Sequence, residues 1–516
     1  MRDFRATALC LLLMMAAFAL VAQQKEPELA VEKSGTLKPS EEKKPGDSQK
    51  ETPPIVTHHE IHIGDRVLHY TATTGLMPIR NTETDEIEAN IFFVAYTLDN
   101  PGPRRPLMFS FNGGPGSASV WLHLGAIGPR RVKMQPDGGM PPPPFELIDN
   151  QQTWLDQADL VFIDPVGTGY SRATKKDFAK KFFGVKGDIS SVGEFIRLYL
   201  SRYERWTSPL FLVGESYGTT RAAGLSGYLV GRGVALNGVV LLSSVLNFET
   251  LEFTRGNDLP FVVYFPTYTA SAWYHKRLPP DLQQRDLPSV LRDAEQFASG
   301  PYAAALGKGD TLTPAERQSL IDQVSRFSGL DRTVVDEHNM RISQAVFCHE
   351  LLRSQRLQVG RLDTRFTAPD ISDMRVEGYY DPSESIIRPP FTATFNNYVR
   401  SDLGYKTDLE YYVLGGGISD WDWGSAVQGF PDTSEALRLA FVKNPYMKLF
   451  VGSGYYDLAT PYFATQYTLS HMNLDPQQHA KVSLGYYEAG HMMYIRTESL
   501  DRLHSDVSAF LGNALQ

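Results

Sequence analysis

The sequence has little cysteine, which limits how the fold can be stabilised. Only Cys10 and Cys348 are present among its 516 residues. If the N-terminal region is removed, Cys348 alone remains and no intramolecular disulfide can form. The fold must then be stabilised by a packed core. Cys348 follows the apolar residues Ala345, Val346 and Phe347, so we predict that it is a small buried side chain.

Basic residues are not in excess, and this excludes one large class of partners. The formal net charge is −9, whereas binding to nucleic acid requires a basic face. Hydrophobic residues make up 42% of the chain and charged residues 21%, which is typical of a globular protein with a sizeable core. The length fits one large domain with an insertion, or two domains.

The N-terminal 54 residues differ in composition from the rest of the chain. Arg2 and Arg5 precede an uncharged apolar run at 8–21 and the small residue Ala22, a pattern that predicts a secretory signal peptide over residues 1–23. The run is shorter than the ~20 residues of a membrane span. We therefore expect no stable membrane insertion once the signal is removed, although an uncleaved anchor is an alternative. Residues 24–54 are rich in Lys, Glu, Pro and Ser and predict a disordered linker. The expected location is secreted or periplasmic.

Residues 210–223 carry the first chemical signal. Four apolar residues lead into G-x-S-x-G, formed by Gly214, Ser216 and Gly218, and small residues that suit a helix follow. This order predicts a strand, a sharp turn and a helix, with the serine hydroxyl exposed at the carboxyl edge of a sheet. The glycines allow the strand and helix to pack closely. The motif alone is short enough to occur by chance.

The order of apolar and helical segments predicts an α/β fold with a mostly parallel central sheet and helices on both faces. The sheet pattern stops after a predicted strand at 238–242 and resumes at 447–451, and the intervening chain is aromatic, Pro-punctuated and mostly helical. We predict a core at 55–247 and 407–516, interrupted by a helical cap at 248–406. Further strands are predicted at 89–96, 107–111, 158–163 and 481–487. Helices are predicted at 188–203, 315–327, 334–352 and 500–511. A hairpin is predicted at 58–71.

A glycine-rich loop, N-G-G-P-G-S at 112–117, follows the predicted strand 107–111. Its backbone N–H groups could point into a cavity and bind an oxyanion. The loop is not a G-x-G-x-x-G that opens a helix, so it gives no reason to expect a dinucleotide, and we predict no cofactor. Four histidines on a strand pattern lack a nearby thiol or carboxylate pair, so we expect solvated side chains and no metal site; they are His58, His59, His62 and His69.

Three residues that could form a catalytic triad each follow a predicted strand. A serine needs a base to accept its proton, and the base needs a carboxylate to orient it. Ser216, Asp457 and His491 occur in the order Ser, Asp, His, which is typical of the α/β-hydrolase fold.

Five segments together resemble the serine carboxypeptidases of the carboxypeptidase Y and cathepsin A type, and the resemblance extends over about residues 55–516. The segments are 112–117, 164–171, 214–218, 457–461 and 490–492. The resemblance implies an α/β-hydrolase that removes single residues from peptides with a free C-terminus through an acyl-enzyme. Ser216 would be the nucleophile, His491 the base and Asp457 its orienting carboxylate. The oligomeric state stays open.

The same resemblance assigns residues to substrate binding. The backbone N–H groups of Gly114 and Tyr217 would form the oxyanion hole. Asn112, Gly113 and Glu215 would hold the terminal carboxylate of the substrate. A carboxyl group donates a hydrogen bond to a carboxylate only while it is protonated, so the role of Glu215 favours acidic conditions.

The sequence departs from the family pattern at several positions. Phe111 replaces a tryptophan, Met493 and Tyr494 replace Val-Pro, and the disulfides of the family are absent. Ala126 replaces a second glutamate that would share the proton of Glu215, so we expect Glu215 to ionise more easily and do not expect a strong acidic preference. Two alternatives stay open: an esterase or acyltransferase with the same triad, and an inactive binding protein.

Overall fold

A mixed sheet of ten strands runs through the described residues in the order β1-β2-β3-β7-β4-β9-β10-β13-β14, with β8 paired to β3. The computed structural model describes residues 51–102, 104–370, 380–418, 420–424 and 429–516. The strands are β1 Ile55–Ile63, β2 Arg66–Arg80, β3 Ile87–Leu98, β4 Leu107–Phe111, β5 Arg130–Val132, β6 Leu147–Asp149, β7 Asp159–Ile163, β8 Arg172–Ala173, β9 Leu210–Ser216, β10 Gly238–Ser244, β11 Leu357–Val359, β12 Thr367–Pro369, β13 Lys448–Gly454 and β14 Val482–Tyr487.

The sheet is antiparallel from β1 to β3 and parallel from β7 to β14. Because parallel strands end at one edge, the loops after β4, β9, β13 and β14 meet there. These four loops carry the residues that the sequence predicts to be functional.

Both faces of the parallel strands are buried. In β10, Val240 and Leu242 belong to one hydrophobic cluster, and Val239 and Leu241 belong to another on the opposite face. Helix Thr497–Ala514 packs in the first cluster, and helices Val185–Arg202 and Tyr217–Val230 pack in the second. Continuous apolar strands covered on both faces are typical of parallel sheets, and the predicted fold class is confirmed.

The α-helices within the described residues follow the strands and fill the chain between β10 and β13. They are Val120–Leu122, Lys176–Phe182, Val185–Arg202, Tyr217–Val230, Leu259–Tyr274, Pro280–Gln283, Leu287–Phe297, Ala303–Lys308, Pro314–Ser328, Arg332–Glu337, Gln344–Glu350, Pro382–Ser401, Ser434–Lys443, Tyr462–Ser470, Pro476–His479 and Thr497–Ala514.

The inserted cap has a hydrophobic cluster of its own. Between β10 and β13 the described chain adds no strand to the main sheet, and only β11 and β12 pair there, with each other. Val263, Phe265, Tyr268 and Phe347 are buried in the cap cluster. Cys348 lies there too and is 2% exposed, as predicted. The boundaries at 248 and 406 stay a prediction.

One predicted helix is wrong. Residues 334–352 form two helices, Arg332–Glu337 and Gln344–Glu350. Asn339 and Met340 between them have φ angles of 50° and 59°, a left-handed backbone that ends a helix. The side chain of Ser343 then accepts a hydrogen bond from the N–H of Val346 and caps the second helix.

The predicted helix at 315–327 is confirmed as Pro314–Ser328, with a capping box between Thr313 and Glu316. The predicted signal peptide 1–23 and most of the linker 24–54 lie outside the described residues. No helix in the described part of the chain is long and apolar enough to cross a membrane. The predicted hairpin at 58–71 is formed by β1 and β2, on which its four histidines are exposed or half-buried.

Strand β9 and the helix after it approach closely at Gly214. A Cβ atom added to Gly214 would lie 2.2 Å from the carbonyl oxygen of Gly218. Such a contact is impossible without moving backbone, since both partners belong to ordered elements. Glycine at 214 is therefore a packing requirement of the turn.

We expect Gly214→Ala to lower the free energy of unfolding by about 1–3 kcal/mol, because the added methyl group overpacks the turn. Chemical denaturation measures this change. Gly512→Ala is the matched control, since Gly512 is exposed in helix Thr497–Ala514 with nothing within 4 Å of an added Cβ. It should raise the free energy by about 0.5–1 kcal/mol. Equal stability of Gly214→Ala and the wild type would contradict the packing argument.

Candidate active site

Ser216 ends β9 and precedes helix Tyr217–Val230 in a strained conformation. Its φ and ψ angles are 59° and −133°, a combination that costs a residue with a Cβ about 1–3 kcal/mol. The hydroxyl of Thr219 donates to the carbonyl oxygen of Ser216 at 2.7 Å. Ser216 is half-buried, whereas Glu215 and Tyr217 on either side are buried. The turn therefore exposes the serine preferentially, as the motif predicts.

Asp457 and His491 form a buried pair after β13 and β14. Nδ1 of His491 lies 2.8 Å from Oδ2 of Asp457, and their side chains are 6% and 0% exposed. The other carboxylate oxygen, Oδ1, accepts from the backbone N–H groups of Ala459 and Thr460 at 2.7 and 3.0 Å. The Thr460 hydroxyl donates to Oδ2 at 2.8 Å. These bonds fix the carboxylate, which in turn makes Nδ1 the donor nitrogen.

The charge of Asp457 also sets the protonation of His491. Burial disfavours the imidazolium, but the adjacent Asp457 carboxylate outweighs burial and raises the pKa of His491 above its ordinary value. Nε2 is then the nitrogen that can accept a proton from a nucleophile.

The predicted site residues meet at one cavity of about 230 Å³. Asp457 lies behind His491 and does not line it. Among the described residues Ser216 and His491 share no direct hydrogen bond, and such bonds often tighten only when substrate binds. The predicted residues in the cavity wall are Asn112, Gly113, Gly114, Glu215, Ser216, Tyr217 and His491.

The glycine-rich loop packs directly on the first turn of helix Tyr217–Val230. A Cβ atom added to Gly113 would lie 2.4 Å from the backbone nitrogen of Tyr217, so only glycine allows this approach. Gly114 has a φ angle of 99°, which side chains disfavour. Arg221 in the same helix donates to the carbonyl oxygen of Asn112 at 2.6 Å and pairs with Asp188 at 2.7 Å. The loop is thus held against the helix N-terminus.

Glu215 is a buried carboxyl group, and its burial and its hydrogen bonds have opposite effects on its pKa. Burial raises its pKa to about 7, while the charge of His491 and hydrogen bonds from Tyr494 and Asn112 act in the opposite direction. The Tyr494 hydroxyl donates to Oε2 at 2.6 Å. The predicted easier ionisation is relative to a site that keeps the second glutamate, and it stays a prediction. Relative to an ordinary glutamate, ionisation is harder, since burial dominates.

Two of the departures from the family pattern are neighbours in space. A Cβ atom added to Gly125 would lie 2.5 Å from the ring of Tyr494, and Ala126 beside it is fully buried. The Tyr494 ring therefore packs on the π-helix His123–Ile127, where the resemblance places the second glutamate of the family, and its hydroxyl reaches Glu215. Both departures are visible in the sequence, but their contact was not predicted. The signal for it was a small residue at position 126 together with a large one at position 494.

A short cap segment, residues 361–364, is bonded to both loops of the acid–base pair. We call it the bracket. The carbonyl oxygens of Arg361 and Leu362 accept from the backbone N–H groups of Leu458 and His491 at 3.0 and 2.6 Å. The carboxylate of Asp363 accepts from the N–H of Gly490 at 3.0 Å, and the N–H of Thr364 donates to the carbonyl of Tyr456 at 3.0 Å. No motif in the sequence indicated these contacts.

Comparison with known proteins locates the family resemblance. Residues 65–233 match the profile described as serine carboxypeptidase. The predicted resemblance to serine carboxypeptidases is confirmed. The matched range includes the glycine-rich loop and the Ser216 turn, but not Asp457 or His491. Within the described residues no group of three or more His, Cys, Asp or Glu side chains could hold a metal ion.

Curated relatives match a part of the chain. The pheromone-processing carboxypeptidase KEX1 of Saccharomyces cerevisiae is 34% identical over 158 residues, which are 28% of this chain and 20% of that protein. Serine carboxypeptidase-like 51 of Arabidopsis thaliana is 30% identical over 184 residues, 32% and 35% of the two chains. The matches thus span well under half the length of these relatives.

One solved structure supports the fold. The crystal structure of KEX1(delta)p, a prohormone-processing carboxypeptidase from Saccharomyces cerevisiae, aligns with a TM-score of 0.52 at 16% identity. The alignment covers 86% of this chain and 91% of that one. At this identity the likeness concerns the fold alone.

We expect Asp457→Asn to slow the labelling of Ser216 by a fluorophosphonate roughly 10⁴-fold at neutral pH, because the imidazole loses its fixed tautomer. Thr460→Ser is the control: it keeps the hydroxyl that bonds Asp457 and should label at close to the wild-type rate. Mass spectrometry of the labelled serine gives the rates. Unchanged labelling of Asp457→Asn would exclude the pair from catalysis.

Proposed function

We propose that this chain is a serine-type carboxypeptidase that hydrolyses the last peptide bond of substrates with a free C-terminus. The observation that carries the proposal is the position of Glu215. A buried carboxyl group beside the half-buried Ser216, in a cavity shared with Asn112 and His491, can recognise a carboxylate next to the reacting hydroxyl. The serine carboxypeptidase match over residues 65–233 supports the same activity.

The proposed reaction has two halves. The Ser216 oxygen attacks the carbonyl carbon of the last peptide bond while Nε2 of His491 takes its proton. The N–H groups of Gly114 and Tyr217 stabilise the oxyanion. His491 then protonates the leaving amine, the C–N bond breaks and the terminal amino acid departs. Water, deprotonated by His491, hydrolyses the acyl-enzyme and restores the serine.

The terminal carboxylate is proposed to bind at Asn112, Gly113 and Glu215. Protonated Glu215 donates to it, while ionised Glu215 repels it. Since burial raises the pKa of Glu215 to about 7, the donating form is present below about pH 7 and is lost as the pH rises through that value. A cavity of about 230 Å³ is below the roughly 300–1,000 Å³ of drug-sized sites and suits the end of a peptide.

Export is part of the proposal, on the basis of the sequence pattern at residues 1–23. An ester-cleaving or acyl-transferring enzyme is the second candidate. The hydrogen bonds that Tyr494 and Asn112 make with Glu215 favour its charged form, and a charged Glu215 weakens carboxylate binding but leaves the triad unchanged.

We expect the wild type to release the last residue of a blocked dipeptide with a free carboxylate at least 10-fold faster than that of the matching C-terminal amide. The reason is that the carboxylate accepts one charge-assisted hydrogen bond that the neutral amide does not. Ser216→Ala should release neither. Product analysis by mass spectrometry measures both rates. Equal cleavage of the acid and the amide would favour the esterase or acyltransferase, and absence of fluorophosphonate labelling at Ser216 would favour an inactive binding protein.

We expect Glu215→Gln to remove the fall in kcat/KM above about pH 7 on free-acid peptides, because glutamine stays neutral. Tyr494→Phe removes a donor to the ionised Glu215, so its pKa rises and the falling limb moves to higher pH. Small esters should keep one profile in all variants. Tyr302→Phe is the control, since its hydroxyl bonds a cap carbonyl, that of Met340. Identical peptide and ester profiles in Glu215→Gln would refute carboxylate binding by Glu215.

A further inference from the structure

Among the described residues that line the cavity, Arg361 is the one arginine, and none is a lysine. Arg361 is half-buried, and none of the described side chains or backbone groups forms an ion pair or hydrogen bond with its guanidinium. Three other arginines of low exposure are paired: Arg105 with Asp159 at 2.7 Å, Arg221 with Asp188 at 2.7 Å and Arg365 with Asp363 at 2.6 Å. A partly desolvated cation without a partner is costly, and an anionic ligand would remove that cost.

The backbone of Arg361 is held firmly. Its N–H donates to Oδ1 of Asp381 at 3.1 Å, and its carbonyl accepts from the N–H of Leu458. Arg361 therefore belongs to the bracket, beside the loops after β13 and β14. Glu215 and Asn112 enter the cavity from β9 and β4, towards the other end of the sheet edge. The cavity thus has two separate places for an anionic group.

The other acidic residue in the cavity wall besides Glu215 does not neutralise Arg361. Glu384 pairs with Arg388 at 2.8 Å on helix Pro382–Ser401 and forms no ion pair with Arg361. A guanidinium presents paired N–H donors that match the two oxygens of a carboxylate.

We propose that Arg361 is a specificity-determining residue that binds a carboxylate of the substrate. This inference rests on the proposed carboxypeptidase activity and adds to it. The carboxylate comes from an acidic side chain close to the scissile bond, or from the C-terminus itself. In the first case the enzyme prefers acidic peptides, because Glu215 and Arg361 each hold one carboxylate.

Four blocked peptides separate the two sources. They carry Glu or Gln next to the C-terminal residue, and each ends in a free acid or an amide. The wild type should cleave the peptide that carries the recognised carboxylate roughly 10- to 100-fold faster than the matching peptide with an amide in its place, which is the range of one charge-assisted hydrogen bond. In Arg361→Gln, loss of the Glu-over-Gln preference identifies a side-chain carboxylate, and loss of the acid-over-amide preference identifies the terminal one. Arg361→Lys should keep part of either preference.

Two controls keep the result interpretable. Arg438→Gln removes a half-buried arginine that pairs with Glu435 on helix Ser434–Lys443, outside the cavity wall, and should leave both preferences unchanged. Fluorophosphonate labelling of Ser216 in Arg361→Gln shows that the variant is folded and its triad active. If labelling is normal and both preferences equal those of the wild type, the proposal for Arg361 is overturned while the carboxypeptidase proposal stands.

The opposite failure is also distinguishable. If the wild type is labelled but releases no residue from any of the four peptides, the carboxypeptidase proposal fails. The same comparison is then made with esters that carry a carboxylate or an amide on the acyl group. A preference for the carboxylate that Arg361→Gln abolishes supports the binding role, and equal rates overturn it.

Discussion

The strained turn at Ser216 is the constraint on which the rest of the site depends. A serine with a φ of 59° and a ψ of −133° persists only if its surroundings hold it there. Three glycines provide that support, because Gly113, Gly214 and Gly218 allow backbone to lie where a Cβ would clash. The same close packing places the glycine-rich loop against the helix N-terminus. The same packing therefore positions Ser216, the glycine-rich loop and Glu215, which the proposed reaction uses together.

Glu215 illustrates how opposing effects set the behaviour of a group. Burial favours the neutral acid, whereas Tyr494, Asn112 and His491 favour the anion. Because burial prevails by a modest margin, the group titrates near neutrality. A neutral phenol at this position stabilises charge without itself carrying any, unlike a second carboxyl group, which would share a proton. Glu215 thereby stays a buried titratable group although Ala126 offers no second carboxyl group.

Much of the core could be predicted from sequence because the signals are local. The strand at 107–111 was predicted to the residue, since its apolar run is bounded by Pro106 and Asn112. The meeting of Asp457 and His491 followed from the rule that parallel strands end at one edge. The break at Asn339 and Met340 could not be predicted, because left-handed residues in mid-helix are imposed by cap packing.

The contacts that were missed join segments far apart in the chain. Tyr494 reaches Glu215 across 279 positions, and Asp363 reaches Gly490 across 127. Periodicity and motif spacing carry no information about such pairs. Arg361 was missed for the same reason: only the assembled cavity shows that an arginine lies among the site residues.

The bracket has a mechanical consequence. Four hydrogen bonds tie residues 361–364 to the loops that carry Asp457 and His491. If the cap lifted as one rigid piece, it would pull the imidazole away from the serine at the same time. Such an opening would separate His491 from Ser216, and the two side chains would face each other again only after the cap had closed. The four hydrogen bonds thus couple the position of residues 361–364 to the position of the imidazole.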